Sequence, residues 1–519
     1  MSNGTPRTQL AGPTGSLRVR AGTISVLLGL ALADFVAHML VSNNYGYFRD
    51  ELYYIEAGRH LSFGYVDFPP LIALIAKVLD VLAGDALWTI HAVPALATAL
   101  IVFLAGLMAR ELGGGRFAQG LAALASLVAI TFLATGSLFS MDALDELWWV
   151  LASYVLILVL KRDDARLWLL FGLIAGVGLA TKVTVLFFGV AVAVGLLLTP
   201  ARRHFGTRWI WLGGAIAFVF LLPYLLWNAA NGWPTLEFFA NYEGSGGSME
   251  FLLGQIPGMN PFTLPLSITG LYFYLLTREG RPYRALGWTF VVLVFVLAIL
   301  GAKPYTLAPA YPMLFAAGSV MAGRLGGRVG TFLEPVYVVL LLLSGILLAP
   351  LAMPILPPAT FSSTYGFMSS TGNAAAGQSE QGIFPQPLGD RFGWETMTQK
   401  AARVYDSLPD RERSRACIFT SNYGEASALN FLGGRYDLPP AISGHNSYFL
   451  WGPDGCTAEV MITVGVSSEE IGQAYAAVER AATITCRYCM PEENGVPVYV
   501  ATKPKAPISR LWPQTKHYE

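Results

Sequence analysis

The chain has 519 residues, of which 54% are hydrophobic and only 13% charged. A soluble domain carries about a quarter charged residues, so this composition excludes a soluble globular protein and describes an integral membrane protein. The 34 basic and 34 acidic residues cancel, so the position of the charges informs where their total does not.

Arg18 and Arg20 precede a first apolar span from about 21 to 41, long enough to cross as an uncleaved helix. Within it Asp34 and His38 lie one helical turn apart; they either pair in the bundle interior or line a polar path. Further spans are predicted near 87–109, 117–135, 144–160, 209–227, 258–276, 285–302, 306–322 and 331–350. The stretch 167–199 is too long for one crossing, roughly 33 residues at 1.5 Å rise giving about 50 Å, and short for two. Basic residues decide it. The clusters at Arg110 and Arg116, Lys161 to Arg166, Arg202 to Arg208, Arg278 to Arg284, and Arg324 with Arg328 share one side only if 167–199 crosses twice. The turn then falls near Thr181-Lys182-Val183-Thr184. The expected fold class is therefore an all-α polytopic bundle of about eleven transmembrane helices, N-terminus cytoplasmic, with an extracytoplasmic α/β domain at its C-terminal end.

That sidedness puts the loops 43–86, 136–146 and 228–257, with the Lys182 and Lys303 turns, on the outer face. The first loop opens with an acid pair, Asp50 and Glu51, inside Tyr47-Phe48-Arg49-Asp50-Glu51-Leu52-Tyr53-Tyr54. Aromatic surroundings raise the proton affinity expected of Asp50 by desolvation, which suits a general base; otherwise it is a solvated interfacial acid. Glu51 points elsewhere and is expected to orient Arg49 or Arg59. Ile55 to Leu61 can form a short surface helix, and the double proline after Asp67-Phe68 starts another, which Asp67 is placed to cap.

The second outer loop carries Met141-Asp142-Ala143-Leu144-Asp145-Glu146. Acids at a helix start are favoured by the macrodipole, which accounts for one or two of them; Asp142 is the functional candidate. Asp145 and Glu146 sit beside Trp148 and Trp149, residues typical of an interface belt. Asp50, Asp142, Asp145 and Glu146 are also the candidates to hold a divalent metal cation through oxygen ligands. Arg59, Lys182 and Lys303 are outer-face cations suited to a phosphate, with snorkelling the alternative for the lysines.

From 351 to 390 the sequence turns to Pro, Ser, Thr, Gly and Ala, as expected of a linker between a membrane domain (1–350) and a soluble domain (391–519). In the latter, 416–420, 460–464 and 498–500 read as strands, and 467 to about 483 as a helix capped by Ser467 or Ser468. Cys417, Cys456, Cys486 and Cys489 all lie here, which fits one or two disulfides; Cys486-x-x-Cys489 also suits zinc binding or thiol exchange, though no second such pair accompanies it.

The acid pair after span one, Asp67-x-Pro69-Pro70, Met141-Asp142, Thr181-Lys182 and Lys303-Pro304-Tyr305 with trailing prolines together resemble the GT-C glycosyltransferases. The similarity is to the protein O-mannosyltransferase and aminoarabinose (lipid A) transferase superfamily and covers roughly residues 20–350. Asn422-Tyr423-Gly424-Glu425-Ala426 and Ser443-Gly444-His445-Asn446 resemble the extracytoplasmic domain of bacterial members. The resemblance implies Asp50 as catalytic base with Glu51 its neighbour, Asp142 as second essential acid, and Lys182, Lys303 and Tyr305 near a donor phosphate. Where aminoarabinose transferases carry a lysine before the double proline this chain has Phe68, which argues against that sugar and leaves Arg59, Lys182 or Lys303 for the phosphate.

The expected activity is transfer of a sugar from a polyprenyl-phosphate donor to a hydroxyl acceptor, on protein, lipid or polysaccharide, at the outer face of a bacterial cytoplasmic membrane, with inversion. Membrane lipid and the donor are the expected partners; nucleic acid is not. No nucleotide-binding motif is present, in keeping with a donor already activated by its lipid phosphate. A flippase of lipid-linked sugars is the alternative, but it should show inverted repeats and broken helices in both halves. A non-catalytic scaffold would not need two acidic loops.

Overall fold

The computed structural model describes residues 13–241, 247–325, 327–375, 382–453 and 455–519. The side chains of Arg18, Arg20 and Arg328, on which part of the expected sidedness rests, lie outside the described residues.

The N-terminal part is helical throughout. It runs α1 (Pro13–Val41), α2 (Arg49–Arg59), α3 (Leu71–Ala83), α4 (Leu87–Glu111), α5 (Arg116–Leu127), α6 (Ile130–Thr135), α7 (Met141–Arg162), α8 (Leu167–Thr181) and α9 (Val185–Leu197). After a tight turn follow α10 (Arg208–Ala230), α11 (Pro234–Asn241), α12 (Ser248–Gly258), α13 (Leu264–Leu276), α14 (Arg284–Ile299), α15 (Tyr311–Ala322) and α16 (Gly327–Leu348). Among the described residues six helices are long and apolar enough to cross a membrane, or seven if α9 and the 200–206 turn, bent by 111°, count as one. Several expected spans are shorter or broken. The 117–135 segment breaks at Val128-Ala129 into α5 and α6, and 306–322 begins as a 3₁₀ turn, Pro304–Ala310, before α15. α8 has 15 residues, about 22 Å at the usual rise, less than the ~30 Å of a hydrocarbon core.

Without a hydrophobic drive between helices in lipid, small residues let backbones meet. α8 and α10 cross where Gly172 faces Gly213; a Cβ on Gly172 would stand 2.1 Å from the Gly213 carbonyl oxygen. Asp34 and His38 pair inside the bundle, with Thr98 donating to Asp34 at 2.9 Å and His38 Nε2 3.2 Å from the Leu133 carbonyl.

The surface helix of the first outer loop is α2, not 55–61. It starts at Arg49, so the acid pair occupies a helical first turn. Asp67 does not cap α3: Pro70 holds the N-cap position without a side-chain bond, and Asp67 turns inward instead. The linker is partly ordered, since 358–375 is helical and Phe361, Phe384 and Leu388 form a small core with Tyr45.

The C-terminal domain is a five-stranded sheet of order β2-β1-β3-β5-β4, with β1 (Ala416–Thr420), β2 (Ala441–Ser443), β3 (Val460–Val464), β4 (Tyr475–Ile484) and β5 (Val496–Pro504). β1, β2 and β3 are parallel; β5 runs antiparallel to β3 and β4. The expected helix from 467 ends early. Ser467 does cap it, with Glu470 completing the capping box, but the helix stops at Ala474 and 475–484 pairs with β5. Helix propensity in that alanine-rich stretch yields to ladder bonds along the sheet edge. A Cys417–Cys456 disulfide links β1 to the loop before β3, while Cys486 and Cys489 are free thiols.

Candidate active site at the membrane–domain junction

α2 is the platform of the site, and the C-terminal α/β domain closes over it. Asp50 is half-buried, and its Oδ1 accepts a hydrogen bond from the Tyr423 hydroxyl at 2.8 Å. Tyr423 opens the helix 423–432, whose N-cap Asn422 accepts from the Glu425 N–H at 2.9 Å. Its ring stacks on Tyr53 of α2 at 4.5 Å between centroids. Arg49 lies between two acids, 3.6 Å from Asp50 and 3.6 Å from Asp390.

Glu51 does not orient Arg49 or Arg59. Helical geometry turns it to the opposite side of α2, where it is fully buried. One oxygen accepts from the Phe48 N–H at 2.8 Å; the other accepts from the Phe139 N–H at 2.8 Å and meets His91 Nε2 at 2.8 Å. Burial disfavours its charge, yet His91, the nearby Arg391 and the Phe139 amide hold its carboxyl below the usual range. His91 also contacts the Ser42 carbonyl at 2.8 Å, so this one carboxylate ties α2, α4 and the 136–140 loop together.

Asp67 faces the same chamber as Asp50. The Tyr53 hydroxyl donates to it at 3.1 Å, and burial, with a contribution from Asp50, pushes its carboxyl up to about 7. Phe68 is buried against Tyr53, Tyr54 and Tyr65 and fills an aromatic cluster.

From the second loop, Asp142 enters the first turn of α7, capped by the Ser140 hydroxyl. Its carboxylate is ion-paired with Lys182 at the α8–α9 turn, and that ammonium lies 5.4 Å from the Tyr305 ring centroid. Lys303 stands at the N-cap of the same 3₁₀ turn that carries Tyr305. Asp145 and Glu146 are not interfacial but buried in the bundle. Asp145 accepts from Thr184 at 2.7 Å and Trp149 Nε1 at 3.1 Å, and Glu146 from Thr135 at 2.7 Å.

Tyr54, one turn along α2 from Asp50, joins the two loops. Burial first, then the charges of Asp50, Asp142 and Asp67, hold its hydroxyl well above its ordinary range, so all three carboxylates lie within electrostatic reach of one phenol. The structure thus brings together Asp50, Asp67, Asp142, Lys182 and Tyr305. It does not bring Arg59 there: that guanidinium pairs with Glu56 at 3.1 Å and Asp85 at 3.6 Å beside a separate groove. Nor do the four acids named for a metal form a tight ligand group; among the described residues such a group is His445, His517 and Glu519.

Sequence reasoning missed His91, Arg391, Tyr53 and Tyr54 as parts of the site, and quoted Tyr423 only within a motif. A histidine inside an apolar span was a usable signal, because polar groups there need partners. Arg391 carried none: it reaches from the soluble domain to the Ser137 carbonyl at 2.6 Å.

The arrangement is an apolar helical bundle whose acid-bearing loops are roofed by a small α/β domain, and that is the GT-C fold. Residues 67–227 match the family model of the dolichyl-phosphate-mannose-protein mannosyltransferases. Over 312 residues the chain is 25% identical to the lipid A galacturonosyltransferase RgtD of Rhizobium johnstonii, a match spanning 58% of this chain and 65% of that protein. Two crystal structures of ArnT from Cupriavidus metallidurans superpose along nearly the whole molecule. The undecaprenyl-phosphate complex gives a TM-score of 0.61 at 14% identity, covering 94% of this chain and 98% of that one. The apo state gives 0.62 at 15%, covering 93% and 98%.

Proposed function

We propose that this protein transfers a sugar from a polyprenyl-phosphate carrier to a hydroxyl acceptor at the outer face of a bacterial inner membrane. The observation that carries the reading is the pairing of Asp142 with the Lys182 ammonium beside Tyr305, with Asp50 and Asp67 held by the stacked Tyr423 and Tyr53 and all three acids within electrostatic reach of Tyr54. The carboxylates of Asp50 and Asp142 suit a sugar whose anomeric carbon becomes cationic in the transition state. An adjacent ammonium suits the phosphate on which negative charge grows as the glycosidic bond breaks.

In this reading Asp50 takes the acceptor hydroxyl proton as its oxygen attacks the anomeric carbon. A single displacement inverts configuration, and the electron pair leaves with the polyprenyl phosphate. Lys182, with Tyr305 and Lys303 on the neighbouring turn, receives that phosphate; Asp142 positions Lys182. Asp67, protonated near neutral pH, is fit to donate a hydrogen bond to a sugar hydroxyl. Glu51 holds the platform and takes no proton. Arg59, sequestered by Glu56 and Asp85, contributes no phosphate contact. We infer eleven crossings, counting the short helices α8 and α9 as spans, with the N-terminus cytoplasmic and residues 391–519 extracytoplasmic.

The galacturonosyl activity named for RgtD and the undecaprenyl phosphate bound by ArnT define the first donor to test, a polyprenyl-phosphate galacturonic acid. Purified protein in detergent, given labelled polyprenyl-phosphate sugars and lipid A or peptide acceptors, should transfer label. Asp50→Asn should abolish transfer while retaining donor binding; unchanged transfer by that variant would reject the assignment.

A further inference from the structure

A second polar cavity, of about 250 Å³, opens in the extracytoplasmic domain between the 421–425 turn, Gly465 and the loop 492–497. Its lining holds three carboxylates, Glu425, Glu492 and Glu493, and no basic side chain. Glu493 is only 3% exposed, and its Oε2 has no hydrogen-bond partner. Glu425 is fixed through Oε2, which accepts from the Ser421 N–H at 2.9 Å, the Ser421 hydroxyl at 2.8 Å and the Asn422 N–H at 3.3 Å. Its Oε1 looks at Gly465, where a Cβ would come within 2.3 Å. Asp390, in electrostatic contact with Glu493, is 1% exposed and also keeps one oxygen, Oδ1, without a partner.

Buried carboxylates persist when they are paired, hydrogen-bonded or bound to a metal. The cation among these groups is Arg49, which is already divided between Asp390 and Asp50. One guanidinium against this many acids leaves a deficit of positive charge. Burial pushes both carboxyls up, and at Glu493 the charge of Glu425 adds to it, so a proton is the competitor of any cation here.

We propose that this cavity binds one hard divalent cation, Mg²⁺ or Ca²⁺, held by Glu493 and Glu425 with Glu492 at its mouth. Oxygen is the ligand type the lining offers, which selects such ions over zinc. The three carboxylates are not drawn into a tight three-ligand group, and the volume admits an ion that keeps part of its water shell, as Mg²⁺ commonly does. The His445, His517 and Glu519 group is the poorer candidate. His445 Nδ1 already accepts from the Tyr423 N–H, and its Nε2 faces the Glu519 carbonyl at 3.2 Å. A bound ion would fasten the 492–497 loop to the turn that presents Tyr423 to Asp50.

The test uses the full-length protein in detergent, stripped with EDTA and desalted. Titrating Mg²⁺ or Ca²⁺ should raise the unfolding temperature by several degrees to a plateau, with about one ion per chain by elemental analysis. Glu493→Gln should remove the response and raise the metal-free unfolding temperature, while Asp142→Asn should keep the response, separating this site from the transfer centre. Absence of any response in the unmodified protein, or a response that survives Glu493→Gln, overturns the proposal. Should Glu493→Gln fail to fold, Glu492→Gln decides: a midpoint weakened several-fold supports the site, an unchanged midpoint rejects it.

Discussion

Asp50 and Tyr423 stand 373 positions apart in the chain, and the tyrosine hydroxyl donates to the carboxylate at 2.8 Å. The candidate base is therefore positioned by the C-terminal domain as much as by the helical bundle. Tyr423→Phe removes one hydrogen bond to a charged acceptor, worth about 1.5–3 kcal/mol, while the ring keeps its stack on Tyr53. We expect kcat to fall roughly tenfold to a hundredfold, with the unfolding temperature nearly unchanged. Steady-state transfer kinetics beside a thermal melt check both halves of that statement.

Glu51 gives the opposite pattern. Breaking a buried ion pair by removing one partner costs about 3–5 kcal/mol, so Glu51→Gln and His91→Ala should each lower the unfolding temperature markedly. The pH dependence has a definite sign. The folded carboxyl sits below its unfolded value of about 4.3, so its contribution is present above that pH and disappears as acid takes the solution down through the folded value. Melts of both proteins across the acid range should therefore converge. A Gln variant that melts like the parent but transfers no sugar would instead make Glu51 a catalytic group.

Asp67 titrates in the other direction. Its folded carboxyl lies at about 7, above the ~3.9 of an unfolded chain, so the native state holds the proton more tightly. Stability from this group is whole below the unfolded value and declines as pH rises through about 7, a total on the order of 4 kcal/mol. Asp67→Asn, which cannot ionise, should match the parent only below about pH 4, melt progressively higher than it as the pH rises to about 7, and keep that advantage above it. Equal pH profiles for the two proteins would refute the buried, protonated assignment.

The Asp142–Lys182 pair should behave as one unit. Lys182→Met and Asp142→Asn are each expected to reduce transfer about a hundredfold, and the double variant to be little worse than either. Full additivity in that cycle would mean that the two residues act separately and that Asp142 does not position the lysine.

Removing the Cys417–Cys456 cross-link, which spans 39 positions, should cost about 2–4 kcal/mol of domain stability. The membrane bundle should still insert, because none of its helices contributes to that sheet. Protease sensitivity of the C-terminal domain, compared between Cys417→Ser and the parent, reads this directly.

Much of the arrangement was legible because charge is costly near lipid. Asp50, Asp142 and Lys182 announced themselves as ionisable groups at span ends, and the structure pairs the latter two and sets both acids within electrostatic reach of Tyr54. What the sequence withheld follows from the same physics. Glu51 looks equivalent to Asp50 until the helix is known to begin at Arg49, which turns the two acids to opposite sides. Asp67 sits at capping distance from Pro69-Pro70, yet the Tyr53 hydroxyl offers a better partner. Residues 475–484 have the alanine-rich look of a helix, and only pairing with β5 beside them decides for a strand. Tyr423 and Arg391 act across hundreds of positions, where no local pattern reaches.

Because Tyr423 completes the surroundings of Asp50, the reaction centre has no complete form until synthesis has passed residue 423. A nascent chain with its bundle inserted still lacks the roof over its acids. Under the proposed function, transfer would then wait on the folding of the C-terminal domain, and a molecule in which that domain has not docked would stay silent although the helices of its bundle are in place.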